Sequence, residues 1–313
     1  MANLNVLRPG MLTTVQDLGR WGHQGSGVPV AGPMDAYSHR AANRLAGNDE
    51  GAAALEITLI GPELHANGDV TCAIAGAEFT VMVDDVAAPL HAAFRIPAGA
   101  VLRFRTRHAG ARATLAAHGG FAVEGLFGSR ATSLISRIGP FGGRALAAGD
   151  VLPVGEAASS PGPSALRQPP PLALSLPRGG ARLRVIPGPH ESRFTSAAFD
   201  TLFSSRYSVT PSSNRMGYRL QGPPLAHARG ADLLSDATPI GSLQVPASGQ
   251  PILLMADRQT TGGYPRIGTV ITADLAAAGQ LAPGDWIEFV PCTRFAAIDA
   301  LKRQRARLLG RPG

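Results

Sequence analysis

Glycine and proline interrupt this chain at almost every step. With 38 Gly and 26 Pro in 313 residues, few stretches run long enough for a long helix. The apolar runs between breaks, such as Pro251–Met255 (PILLM), have the length of buried strands. Aromatic residues make up 5% and charged residues 16% of the chain. Many turns and few long helices predict a mainly β protein with a few short helices.

At 313 residues two domains are expected, each with room for a core. The stretch EAASSPGPSALRQPPPL is rich in Pro, Ser and Ala and weakly periodic, which marks a linker. The predicted division is 1–155, a linker at 156–180, and 181–313 ending in a helix.

The net charge is +7, and Lys302 is the only lysine among 29 cationic residues. The arginines are scattered, with no aromatic-studded basic motif, helix-turn-helix pattern or zinc-finger spacing, so nucleic acid is not the expected partner. A single lysine near the C-terminus rules out a Walker loop and leaves no site for covalent biotin. Cys72 and Cys292 stand far apart, without a C-x-x-C, which fits a reducing compartment. No signal-peptide pattern opens the chain, and no apolar run approaches the roughly 20 residues that span a bilayer. A cytoplasmic protein without a membrane partner is expected. No metal-ligand cluster is visible, and H-E-x-x-H, G-x-S-x-G and G-x-G-x-x-G are missing.

Taken in order, Leu4–Leu7 reads as a strand. TTVQDLGR and the glycine-rich segment to Asp35 then form a long loop, of the kind that is functional or disordered. Trp21, Val28 and Met34 argue for order. Asp35 caps a helix that Gly47 stops, with Ala42 and Leu45 facing the core and His39 and Asn43 on a solvated face. VLRFRTR puts Leu102, Phe104 and Thr106 on one face and Arg103, Arg105 and Arg107 on the other, either a solvated sheet face or an anion stripe. Asp84–Asp85 reads as a hairpin turn. His118 is either structural or a site residue. In the second half Asp274 caps a short helix, PGDWIEF is a turn and edge strand, and Phe295, Ile298 and Leu301 share a face of a basic C-terminal helix.

The segment with the most chemistry is ADRQTTGGYPRIGTVI, Ala256–Ile271. It follows the strand PILLM and places an acceptor, a cation, an amide and two hydroxyls on consecutive residues, Asp257 to Thr261. Gly262 and Gly263 let main-chain N–H groups approach a ligand, and Tyr264–Pro265 stiffen the exit. Such a bend is either a small-molecule site or a hairpin turn whose polar groups face water.

The motifs TTVQDLGR, GVPVAGPMD, LEITLIGPEL, GSRAT, SSNRMGYRLQGPPL and LQVPASGQPILLMADRQTTGGYPRIGTVI together resemble the family of the 5-oxoprolinase C subunit, also described as a biotin-dependent carboxyltransferase or an allophanate hydrolase component. The likeness runs in order along nearly the whole chain, apart from the linker and the tail after Phe289. It implies two cyclophilin-like β-barrel subdomains. It also implies one component of an ATP-dependent 5-oxoprolinase that opens 5-oxo-L-proline to glutamate, working with a paralogous B subunit and an A subunit. ATP would serve the complex. A carboxyltransferase component of a urea-carboxylase-type system, or a non-enzymatic protein binding a kinase-inhibitor paralogue, would share these motifs. For a lactam or amide substrate, Asp257 is the expected proton acceptor and Arg258 the donor to a developing oxyanion. Gln259, Thr260, Thr261, Gly262, Gly263, Tyr264, Asn214 and Arg215 would bind substrate, and Gln16, Asp17 and Arg20 would line a cleft or meet the partner.

Overall fold

A computed structural model describes residues 2–156 and 176–311. The linker stretch 157–175 lies outside them. The described residues are mainly β and cluster into two compact units. Residues 2–20, 31–156 and 307–311 belong to the first unit, and 21–30 and 177–306 to the second. The ten-residue stretch from Trp21 thus leaves its sequence neighbours, which no local pattern announces.

The first unit holds β1 (Asn3–Arg8), β2 (Leu12–Gln16), α1 (Ala36–Leu45), β3 (Ala54–Thr58), β4 (Glu63–Ala66), β5 (Val70–Val83), β6 (Val86–Ala87), β7 (Ala93–Ile96), β8 (Val101–Ala117), the single turn α2 (Pro140–Gly143) and β9 (Val151–Pro153). The strands form a nine-stranded sheet, ordered β2-β3-β8-β4-β1-β9, with β5 pairing β6, β7 and β8. The antiparallel β5–β8 pair is the spine. Period-two alternation sends Leu55, Ile57, Ile74, Leu102 and Leu115 into a shared apolar core. Burying each such side chain contributes about 1.5–3 kcal/mol. Asp84 and Asp85 form the turn between β5 and β6, Asp84 at φ 50°.

Helix α1 starts as its sequence predicts: Asp35 accepts from the Ser38 amide at 2.9 Å and from Ser38 Oγ at 2.6 Å. His39 and Asn43, however, do not face solvent; both are 0% exposed. Asn43 Nδ2 donates to the Ala52 carbonyl at 2.9 Å and lies 3.2 Å from His39 Nε2. Asn48 Nδ2 bonds Asn43 Oδ1 and the Ala117 carbonyl, tying the helix to β8. These partners satisfy the buried amides of Asn43 and Asn48, while His39 Nδ1 is buried without a hydrogen-bond partner among the described residues. His118 Nδ1 lies 2.7 Å from the Ala46 carbonyl, a structural bond at the end of the same helix.

The second unit holds β10 (Gly180–Pro187), α3 (Ser196–Ser204), β11 (Arg206–Val209), β12 (Gly217–Gln221), β13 (Asp236–Ala237), β14 (Ser242–Gln244), β15 (Ile252–Leu254), β16 (Thr261–Gly262), β17 (Arg266–Val270), α4 (Leu275–Gly279), β18 (Trp286–Pro291) and all but the last two residues of α5 (Arg294–Leu308). Seven strands close a barrel in the order β10-β17-β14-β15-β12-β11-β18. The register pairs Val185 with Val270, Leu243 with Leu253, Tyr218 with Leu253, Tyr207 with Ile287 and Leu183 with Phe289, so these residues fill the interior. β18 is therefore no edge strand: it pairs β10 in parallel and β11 antiparallel, which seals the barrel. That closure joins distant segments and cannot be read locally. Asp274 precedes α4 but does not cap it. Its carboxylate accepts from the Arg184 amide at 2.8 Å and from Arg184 Nη2 at 2.6 Å. On α5, Phe295 is 84% exposed and Ile298 and Leu301 are also exposed.

Candidate functional site

The outer wall of the barrel carries the site. Interior positions on β14 and β17 alternate with outward ones, so Ser242 and Gln244 point outward, yet both are buried. The polar bend after β15 covers Gln244, whose Oε1 accepts from Gln259 Nε2. Strand β15 ends at Leu254; the Met255 amide then donates to the Met216 carbonyl and the Asp257 amide to the Arg215 carbonyl, both at 2.8 Å. These bonds carry the chain past the barrel end and into the bend. It returns through β16, which pairs β13 with Asp236 opposite Gly262 and Ala237 opposite Thr261.

Asp257 turns inward. Arg215 Nε and Nη2 donate to its two carboxylate oxygens at 3.0 Å each, and the side chains are 5% and 1% exposed. This bidentate pair occupies both oxygens of the group expected to accept a proton, and it also occupies Arg215, expected to bind substrate. Arg258 differs. It is buried, and its Nε donates to the Thr238 carbonyl at 2.7 Å. It makes no salt bridge among the described residues. Burial lowers its pKa from the usual arginine value, opposed by the neighbouring Asp257 charge.

Arg258 lines a cavity of about 420 Å³ within the second unit. Gln259, Thr260 and Thr261 line it too, with Thr238, Pro239 and Ile240 from the β13–β14 connection and Trp21, Gln24 and Val30 from the glycine-rich segment. Of the expected bend residues, Arg258 to Thr261 face this space. Gly262 pairs in β16, the Gly263 carbonyl accepts from the Leu233 amide, and Tyr264 is exposed. Asn214 spends Oδ1 on the Met216 amide at 2.8 Å.

Gln16, Asp17 and Arg20 belong to the first unit and are knotted to its own residues. Gln16 Nε2 donates to Thr14 Oγ1 and to the Thr132 carbonyl at 3.0 Å each. The Asp17 carboxylate accepts from the Gly19 amide, Ser129 Oγ and the Arg130 amide. Arg20 Nη2 donates to the Ala131 carbonyl.

Sequence reasoning missed Thr238, Gln244 and Trp21. Thr238 clasps the bend: its amide donates to the Thr260 carbonyl at 3.0 Å and its hydroxyl to the Gln259 carbonyl. Gln244 accepts from Gln259 Nε2 at 3.1 Å. The only sequence signal was a glutamine between the apolar Leu243 and Val245.

A closed β-barrel with a buried guanidinium and tethered amides beside a small cavity defines a domain suited to a compact polar ligand. The carboxyltransferase domain, subdomain A and B, matches residues 26–291, and the chain belongs to that family. It is 40% identical to the 5-oxoprolinase C subunit of Escherichia coli, over 96% of this chain and 95% of that protein. It is 35% identical to urea amidolyase of Lachancea kluyveri, over 97% of this chain but 18% of that protein. The crystal structure of the K. lactis urea amidolyase superposes with a TM-score of 0.93 at 32% identity, covering 99% of this chain and 20% of that one.

Among the described residues, no helix is long and apolar enough to cross a membrane, and no three His, Cys, Asp or Glu side chains gather to hold a metal ion.

Proposed function

We propose that this chain is the C subunit of an ATP-dependent 5-oxoprolinase, a hydrolase of a cyclic C–N bond that works in the cytoplasm with a paralogous B subunit and an A subunit. The near full-length likeness to the E. coli protein supports the assignment. The observation that carries the site is Arg258: a buried cation with no salt bridge among the described residues, at the wall of a cavity sized for a five-membered ring acid. A buried charge is stable only when paired. A carboxylate, or an amide oxygen gaining negative charge, supplies that pairing when substrate binds. Asp257 and Arg215 hold the bend in place. Thr260 and Thr261 add hydroxyls.

The test is ring opening of 5-oxoproline by the reconstituted complex with ATP. The Arg258→Met variant should assemble normally and lose about two orders of magnitude or more in kcat/KM. A wild-type complex that assembles and never forms glutamate would refute the assignment. A second reading, a carboxyltransferase component fed by biotin on another protein, draws on the close superposition with the K. lactis urea amidolyase. Urea-dependent carboxyl transfer by the same complex would select it.

A further inference from the structure

The cavity wall divides by chemistry. Trp21, Val30, Pro239 and Ile240 are apolar; Thr238, Arg258, Gln259, Thr260 and Thr261 are polar. Two carboxamides reach it, Gln24 and Gln259, and the second is tied down. Gln259 Nε2 donates one N–H to Gln244 Oε1 at 3.1 Å, and its main-chain oxygen accepts from Thr238 Oγ1. Gln244 is itself 1% exposed on the outer wall of the barrel. Gly262 passes over the pair: a Cβ there would lie 2.6 Å from Gln244 Nε2 and 3.1 Å from Gln259 Nε2. The Gln259 amide plane is thus fixed from behind. One N–H and the Oε1 acceptor remain for the cavity, since a primary amide carries two donors and an acceptor.

Such a donor–acceptor edge is complementary to a cis amide, which presents its own N–H and C=O side by side. Open-chain peptide amides are trans; a five-membered lactam is cis by ring closure. Resting on the oxoprolinase reading, we infer that Gln259 is the lactam-recognition residue. It donates to the ring carbonyl and accepts from the ring N–H while Arg258 takes the carboxylate. Gln244 is a positioning residue that holds the Gln259 amide in plane. Ring-opened glutamate no longer offers this edge, so product is released. Proline lacks the carbonyl. A lactone of the same ring size lacks the N–H and leaves Gln259 Oε1 unpaired, the kind of loss by which hydrogen-bonding sites discriminate.

The test is calorimetric titration of the assembled complex, without ATP, with 5-oxo-L-proline and with the lactone bearing the same carboxylate. Wild type should prefer the lactam about tenfold or more. Gln259→Met keeps the length of the side chain and removes both hydrogen-bonding groups, so it should bind both rings weakly and alike. The comparison of two ligands on one variant is insensitive to a general loss of folded protein. A preference that survives in Gln259→Met, or a wild type that binds both rings equally, would overturn the inference while leaving the oxoprolinase reading intact. Binding of neither ring by wild type would overturn both.

Discussion

Two adjacent residues, Asp257 and Arg258, carry opposite consequences because one has a buried counterion and the other makes no salt bridge among the described residues. Removing one partner of a buried ion pair costs about 3–5 kcal/mol, because the survivor is left charged and uncompensated. Asp257→Asn should therefore lower the melting temperature by about 10 °C or more. Adding Arg215→Met to it should recover much of the loss. The pH–rate profile of the Asp257→Asn complex should keep its shape; a lost limb would reinstate Asp257 as the proton acceptor. His39 makes a second prediction. Burial lowers its pKa from 6.5 to about 4, with the Asp17 charge opposing. The unfolded chain takes up this proton near pH 6.5 and the folded one only near pH 4, so the unfolded state binds more protons between those values. Stability is full above about pH 6.5 and falls by ~3 kcal/mol as pH drops to about 4. His39→Gln should flatten that acid slope in chemical denaturation.

At the scale of elements, local chemistry was readable where the partners are near in sequence. The Asp35 cap, the Asp84–Asp85 turn and strand β15 all follow from a few consecutive residues. What was not readable depends on partners outside the element itself, several of them dozens of residues away. His39 and Asn43 look solvent-facing until Asn48 and the Ala52 and Ala117 carbonyls are in place. Asp274 looks like a cap until Arg184, 90 residues away on the neighbouring strand β10, takes its carboxylate. The bend itself was legible as polar and glycine-rich, but not which of its groups turn inward, because Arg215, Thr238 and Gln244 decide that. Gly262 offers a test at this scale. Gly262→Ala places a methyl group against the Gln244 and Gln259 amides. Affinity for 5-oxoproline should fall about tenfold with a nearly unchanged melting temperature, measured by titration and thermal unfolding. Unchanged affinity would mean that the amide pair does not set the shape of the cavity.

For the molecule as a whole, the question is how much of a reaction one chain can run. The cavity offers a guanidinium, hydroxyls and amides, groups that bind and polarise. Among the described residues that line it there is no carboxylate, imidazole, thiol or amine. Two carboxylates of the surrounding segments are engaged: Asp257 by Arg215, and Asp236 by Arg266 at 2.6 Å. A lactam is resonance-stabilised, and hydrolysing it calls for a proton acceptor as well as stabilisation of the developing oxyanion. On the proposed reading this cavity would meet the second requirement, and none of its described lining residues would meet the first. The isolated chain should accordingly bind 5-oxoproline in calorimetry and release no glutamate, with or without ATP. Adding the B and A subunits should restore turnover while Arg258→Met still abolishes binding by the isolated chain. Glutamate formed by the purified chain alone would show that a base exists outside this cavity and that the division of labour is different.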